Sequence, residues 1–150
     1  MTMRKDIQHI PDTQSAHDER HVAIQRVGVR SVRYPISLRI AGGVATSVAM
    51  WDLDVALPAE RKGTHMSRFV AWLDALHEPV DLAGLRRELG GMLQRLAATE
   101  GRVEARFPFF LRKRASVSGG QSLLEYQGRW TAERRGGAPA ISTHSAPLRT

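Results

Sequence analysis

The 150-residue sequence contains no cysteine, few aromatic residues and no long apolar run. Without cysteine, these residues offer no disulfide, no thiol nucleophile and no cysteine-based metal site. No apolar stretch approaches the roughly 20 residues that cross a bilayer. The polar N-terminus also lacks the apolar segment typical of a secretory signal. We therefore expect a cytoplasmic protein without membrane contact.

Acidic residues are the minority among the charged ones. The chain has 22 Lys+Arg against 15 Asp+Glu, a net charge of +7, and such an excess favours anionic partners. Nucleic-acid surfaces interleave basic residues with exposed aromatic ones, whereas the aromatic residues here mostly share the apolar phase of predicted strands. We expect no nucleic-acid partner, which leaves a small anionic ligand or simply solvated basic strand faces.

The first half of the chain predicts a long β-hairpin. Apolar residues alternate over 23–40, and their phase slips at Arg30 and Ser31, which predicts a bulge there. Pro35 lacks an amide proton and therefore indicates an edge strand or a bulge. Glycines at 42–43 favour a hairpin turn, and a second strand follows over 44–57.

Two helices and two further strands come next. Helical spacing joins Met66, Phe69, Val70, Leu73 and Leu76, with Thr64 as the N-cap and Pro79 as the stop. A second helix is capped by Asp81 and carries its apolar stripe at Leu82, Leu85, Leu89, Leu93 and Leu96. Alternation returns over 102–111 and again from Leu124, on either side of a turn at 117–121.

The resulting order, β-β-α-α-β-β, predicts an α+β fold in which two helices cover one face of a four-stranded antiparallel sheet. We assign this unit to residues 22–133. Residues 1–21 show neither strand nor helix period and are predicted to form a mobile arm. Residues 134–150 are rich in Gly, Ala, Ser and Pro, and are predicted to be a disordered tail.

The segment KGTHMSRF, at 62–69, is the main candidate site. It runs from the end of a strand into the first turn of a helix, where unpaired amide groups suit phosphate. Lys62 and Arg68 add positive charge, while Thr64 and Ser67 offer hydroxyl donors. An ordinary capped helix start would show the same pattern, so the residues alone leave both interpretations open.

Other polar residues point less clearly to chemistry. His65 has no second ligand three or four residues on, so a structural hydrogen bond is favoured over metal binding. Arg112 and Lys113 follow a strand end, as loop cations or as a second part of an anion site. Glu125 is interpreted as a solvent-facing strand carboxylate. The sequence has no P-loop, Ser/His/Asp set or paired-carboxylate motif, and it identifies no catalytic residue.

Several segments resemble type IB GTP cyclohydrolases and occur in the same order as in that family. The resemblance covers about residues 22–131, with a further DTQ match in the arm. It is carried by VGVRSVRYPISL, KGTHMSRF and VEARFPFFLRKRASVSGGQSLLEY.

This resemblance implies a T-fold, whose unit is β-β-α-α-β-β. Family members carry two such units and form oligomeric barrels with active sites between units. They convert GTP to 7,8-dihydroneopterin triphosphate and formate, for tetrahydrofolate and, in some bacteria, queuosine biosynthesis. A water bound to a divalent metal attacks C8 of guanine. The triphosphate-binding residues that the resemblance suggests here are Lys62, Thr64, His65, Ser67, Arg68, Arg112 and Lys113.

The resemblance has one large departure. The family's metal ligands come from a Cys-Pro-Cys segment and later His and Glu residues, which these 150 residues lack. We therefore expect an incomplete enzyme that binds GTP but does not hydrolyse it alone, as a homo-oligomer or with a partner that supplies the second half. The alternatives are a non-catalytic nucleotide- or pterin-binding module and a structural T-fold.

Overall fold

The computed structural model describes residues 24–40, 43–58, 66–114, 117–136 and 138–147. The predicted arm lies outside these residues. The described elements are β1 (Ile24–Ile40), β2 (Gly43–Pro58), α1 (Ser67–Asp74), α2 (Leu82–Arg95), β3 (Glu100–Arg114), β4 (Gln121–Arg135) and β5 (Ala138–Pro147). The strands form one antiparallel sheet in chain order. This confirms the predicted β-β-α-α-β-β order and T-fold-like arrangement, to which β5 adds a further strand.

The predicted bulge in β1 is confirmed. The register with β2 shifts between Val29 and Val32, and Ser31 adopts a φ of 55°. The Ser31 amide donates a hydrogen bond of 2.8 Å to Oδ1 of Asp52 on β2, which satisfies a group that the bulge removes from the ladder. Apolar residues on both sides of the bulge therefore reach the same core. Pro35 lies in the edge strand β1, as predicted.

The second helix begins as predicted. The Asp81 side chain accepts a hydrogen bond of 2.5 Å from the Gly84 amide, which satisfies one of the free amides at the helix start. Four of the five predicted stripe residues are buried, and Leu82 is half-buried.

The first helix departs from its prediction. It ends at Asp74, well before Pro79, and Met66 stands at its N-cap without a side-chain hydrogen bond. Val70, expected in the apolar stripe, is 43% exposed. Trp72 is buried instead, because it shares with Phe69 and Leu73 the one face of this eight-residue helix that packs on the core. The predicted cap, Thr64, lies outside the described residues.

The core fills the space between the helices and one face of the sheet. Trp51 of β2 and Trp72 of α1 meet edge to face with ring centroids 5.9 Å apart. The indole nitrogen of Trp72 donates to the Glu88 carbonyl at 3.0 Å, which links the two helices. Neither described helix is long and apolar enough to span a membrane.

The prediction of disorder over 134–150 is wrong for 134–136 and 138–147. Residues 134–135 complete β4, and β5 pairs with it from Arg135 opposite Ala138 to Tyr126 opposite Pro147. Gly136, with a φ of 56°, makes the turn that reverses the chain. Composition disfavours this strand, but pairing with the β4 edge supplies backbone hydrogen bonds, and prolines are tolerated in an edge strand.

Candidate functional site

The start of α1 carries the described part of the main candidate segment. Ser67 and Arg68 are exposed, while Phe69 is fully buried and holds the helix against the core. Met66 makes no side-chain cap bond, and the first turn has no acidic residue. The Phe69 amide bonds to the Met66 carbonyl at 3.1 Å, and among the described residues no side chain caps the other amides of this turn. The remaining candidates here, Lys62, Thr64 and His65, lie outside the described residues.

The second pair of candidates lies at the far end of β3. Arg112 and Lys113 are exposed, and Nζ of Lys113 stands 5.9 Å from the centre of the Tyr126 ring, within cation–π range. Ala105, which pairs with Trp51 under α1, is seven residues before Arg112. At roughly 3.3 Å per residue, Arg112 lies about 23 Å along the strand from that point.

The described candidates of the two groups do not contact each other within one chain. Among the described residues, no hydrogen bond, ion pair or ring contact connects Ser67 or Arg68 with Arg112 or Lys113. Glu125 is exposed, as predicted. Among all residues that the structure describes, no three His, Cys, Asp or Glu side chains come together as a metal site would require.

The sheet face opposite the helices holds an ionic network that the sequence did not reveal. Glu104 of β3 has a side chain only 10% exposed. Its carboxylate lies 2.6 Å from Nη2 of Arg102, 3.4 Å from Nε of Arg106 and 3.8 Å from Nε of Arg129. The alternation over 102–111 places Glu104 on the parity opposite Val103 and Ala105, but the cross-strand register decides which cations surround it.

A second feature that the sequence did not reveal is a cleft between α2 and the end of β4. Its lining includes Arg86 and Arg87 of the helix and Arg134 of the strand. The two helical arginines are visible in the sequence as part of a polar helix face. Arg134, however, fell in the segment that was predicted to be disordered, so its approach to α2 had no sequence signal.

Comparison with known families assigns the chain. The family model described as type I GTP cyclohydrolase folE2 matches residues 10–146. This match covers most of the 150 residues and runs past residue 134 into β5, in agreement with β5 as part of the folded unit. The chain belongs to the type I GTP cyclohydrolase FolE2 family.

Curated relatives carry the same name. The chain is 66% identical over 134 residues to GTP cyclohydrolase FolE2 of Methylibium petroleiphilum, covering 87% of this chain and 45% of that protein. It is 52% identical over 132 residues to the protein of the same name from Ralstonia nicotianae, covering 88% and 49%. The corresponding protein of Cupriavidus necator is 49% identical over 132 residues, with the same coverage. The chain thus spans about half the length of the curated relatives it matches.

Proposed function

We propose that this chain forms a nucleotide-binding T-fold unit of a type IB GTP cyclohydrolase, which converts GTP to 7,8-dihydroneopterin triphosphate and formate. The observation that carries the proposal is the family match across 10–146, supported by relatives named GTP cyclohydrolase FolE2. A cytoplasmic location, where GTP is supplied, belongs to the same proposal. So does the use of the product in folate and queuosine biosynthesis.

In this proposal the start of α1 holds the triphosphate. The Arg68 guanidinium is exposed and presents the planar pair of donors that matches a phosphate oxygen pair. Ser67 adds a hydroxyl donor at a helix start that no described side chain caps. Buried Phe69 fixes the helix axis, so these donors keep one direction. The preceding Lys62, Thr64 and His65 complete the proposed site.

Arg112 and Lys113 join this site from a second copy of the chain. Within one chain no contact among the described residues joins them to Ser67 or Arg68, so in this proposal they reach the triphosphate of a neighbouring copy. Strands β1 and β5 form the two edges of the described sheet, and each edge offers backbone groups to a further strand. We therefore propose a homo-oligomer, with a partner chain that supplies further residues as the alternative.

The described residues do not fit the divalent metal that the family resemblance implies. They assemble no group of three or more metal-binding side chains, and a catalytic zinc site takes three protein ligands. The part of the reaction that we propose for these residues is therefore to bind and orient the nucleotide.

Isothermal titration calorimetry of the purified chain with GTP tests the binding proposal. Removal of a charge-assisted contact to phosphate weakens binding about tenfold or more. We therefore expect micromolar binding that is weakened about tenfold in Lys62→Ala and in Arg68→Ala. Arg95→Ala removes the same charge from an exposed position in the last turn of α2 and should bind GTP like the parent. Equal affinity in all four proteins would overturn the proposal.

A structural T-fold is the second candidate, favoured by the two sheet edges and by the lack of a described metal cluster. A formate assay combined with size-exclusion chromatography separates the candidates. The first proposal predicts GTP binding and no formate release by this chain alone. A chain that oligomerises without binding GTP would support the structural role.

A further inference from the structure

A cleft lies between α2 and the end of β4. It is open to solvent and has a volume of about 490 Å³. Its lining combines three guanidinium groups, one carboxylate and two small residues. The lining residues are Asp81, Ala83, Arg86, Arg87, Gly90 and Arg134.

Arg134 occupies an unusual position in the sheet. Gly128, Trp130 and Ala132 form the row of β4 residues that faces the helices, and Arg134 continues this row. A half-buried cation therefore lies on the side of the sheet that is otherwise apolar. Its Nη2 atom is 3.7 Å from the position that a Cβ on Gly90 would occupy, an ordinary contact distance that places the guanidinium beside this turn of α2.

The helix completes the cleft with a regular pattern. Ala83, Arg86, Arg87 and Gly90 lie three or four residues apart and share one face of α2. Ala83 and Gly90 add little side-chain bulk to the lining. Nη2 of Arg87 lies 3.5 Å from the position of a Cβ on Gly84, which places this guanidinium over the first turn.

None of the cleft arginines forms an ion pair with an acid among the described residues. Arg102, Arg106 and Arg129 of the sheet all contact the Glu104 carboxylate, but no such ion pair joins Arg86, Arg87 or Arg134 to a described acid. The one carboxylate in the cleft, Asp81, is already bonded to the Gly84 amide. The cleft thus carries an excess of positive charge that a bound anion would neutralise.

The geometry points to a binding site for a phosphate-bearing anion in this cleft, held by Arg86, Arg87 and Arg134 and separate from the start of α1. Guanidinium groups recognise phosphate through paired donors. Donors that come from a helix and a strand surround a ligand better than a single exposed residue does. The volume suits a diphosphate or the phosphate end of a nucleotide.

Binding of pyrophosphate at low ionic strength, measured by calorimetry on the purified chain, tests this site. Arg87→Gln and Arg134→Gln should each weaken binding about tenfold, the usual effect of one lost charge-assisted contact. Arg95→Gln makes the same charge change on α2 outside the cleft and should change affinity less than twofold. If the cleft variants bind like the parent, or Arg95→Gln weakens binding as much, the site does not exist.

Two further measurements keep the result clear. Because Arg134 is half-buried, thermal unfolding must show that Arg134→Gln is folded. If this variant is not folded, the binding affinities of Arg86→Gln and Arg87→Gln, which change exposed residues, test the site. In the Arg68→Ala variant, which removes the proposed triphosphate contact, the cleft should still bind pyrophosphate. GTP should compete there and guanosine should not. Competition by guanosine equal to that by GTP would overturn a phosphate site.

Discussion

The two faces of the sheet differ in composition, one apolar and one ionic, although the residues of both faces alternate along the same strands. One face packs Trp51, Leu53 and Phe107 under the helices. The other pairs Arg26 with Asp54 and surrounds Glu104 with arginines. A slip of one residue in any strand pair would exchange the faces and place charges in the core. The alternation therefore specifies the register of the sheet.

The faces also differ in what they contribute to stability. Burial of apolar surface stabilises by roughly 25 cal/mol per Å², whereas exposed ion pairs contribute about 0–1 kcal/mol each. The arginines around Glu104 keep 32–56% of their side-chain surface exposed, so solvent screens much of their attraction. We infer that the apolar face supplies most of the stability and the ionic face mainly excludes other registers.

The strongest test of this comparison removes part of the apolar face. Leu89 of α2 is fully buried in the core, and Leu89→Ala should lower the free energy of unfolding by about 2–5 kcal/mol through lost burial and a cavity. Leu123→Ala is the control, because Leu123 is 56% exposed and should cost under about 0.5 kcal/mol. Urea unfolding measures both. Similar losses in the two variants would contradict the assignment of stability to the helix-covered face.

The same face should resist added volume. A Cβ on Gly128 would stand 2.6 Å from a ring carbon of Phe107, whose ring also packs against Trp130. Gly128→Ala should therefore cost about 1–3 kcal/mol from overpacking. Gly43→Ala meets no atom within 4 Å and serves as the matched control in the same unfolding assay. A neutral Gly128→Ala would mean that the aromatic cluster on β3 and β4 is loosely packed.

The ionic face should respond more weakly and in a salt-dependent way. Glu104→Gln keeps the shape of the side chain but removes the charge that three arginines contact, and should cost about 1 kcal/mol at low salt. Added salt should shrink this difference. Glu125→Gln changes an exposed carboxylate and should have almost no effect. A salt-independent loss above that of Gly128→Ala would reverse the proposed ranking of the two faces.

Local patterns allowed most of this fold to be predicted. The phase slip at Ser31 predicted the bulge because side-chain alternation has a strict period of two. Asp81 predicted the start of α2 because N-capping is a local hydrogen bond. Strand β5 could not be predicted, since its stability depends on the β4 edge and not on its own composition. The burial of Trp72 on α1 also involves packing against Trp51, a contact remote in sequence.

The candidate sites could be predicted from the sequence less completely than the fold. The exposed Ser67 and Arg68 were named from the helix-start pattern, but adjacency in a motif says nothing about distance to Arg112. The cleft depends on Arg134 reaching α2 over Gly90, and this approach needs the tertiary pairing of β4. Sequence patterns therefore identify residues suited to phosphate, and the sheet register decides which of them meet.

The smallest expected effect concerns a polar contact at the margin of the apolar face. The Tyr34 hydroxyl of β1 donates a hydrogen bond of 2.7 Å to Oδ1 of Asp74, the last residue of α1. This hydrogen bond raises the pKa of Tyr34 above its ordinary value of 10.0, as do desolvation and the Asp74 charge. Because the protonated form is favoured in the folded state, the stabilisation is complete below pH 10.0 and is lost as the pH rises through the raised pKa.

Tyr34→Phe isolates this contribution, because it removes the hydroxyl and keeps the ring that packs at the edge of the core. Unfolding measured from pH 8 to pH 11 should show the parent chain slightly more stable than the variant at the lower pH. The difference should close as the pH increases above 10.0. Asp74→Asn should flatten the pH response of the parent in the same range. A constant difference across the range would show that α1 is held to the sheet by apolar packing alone.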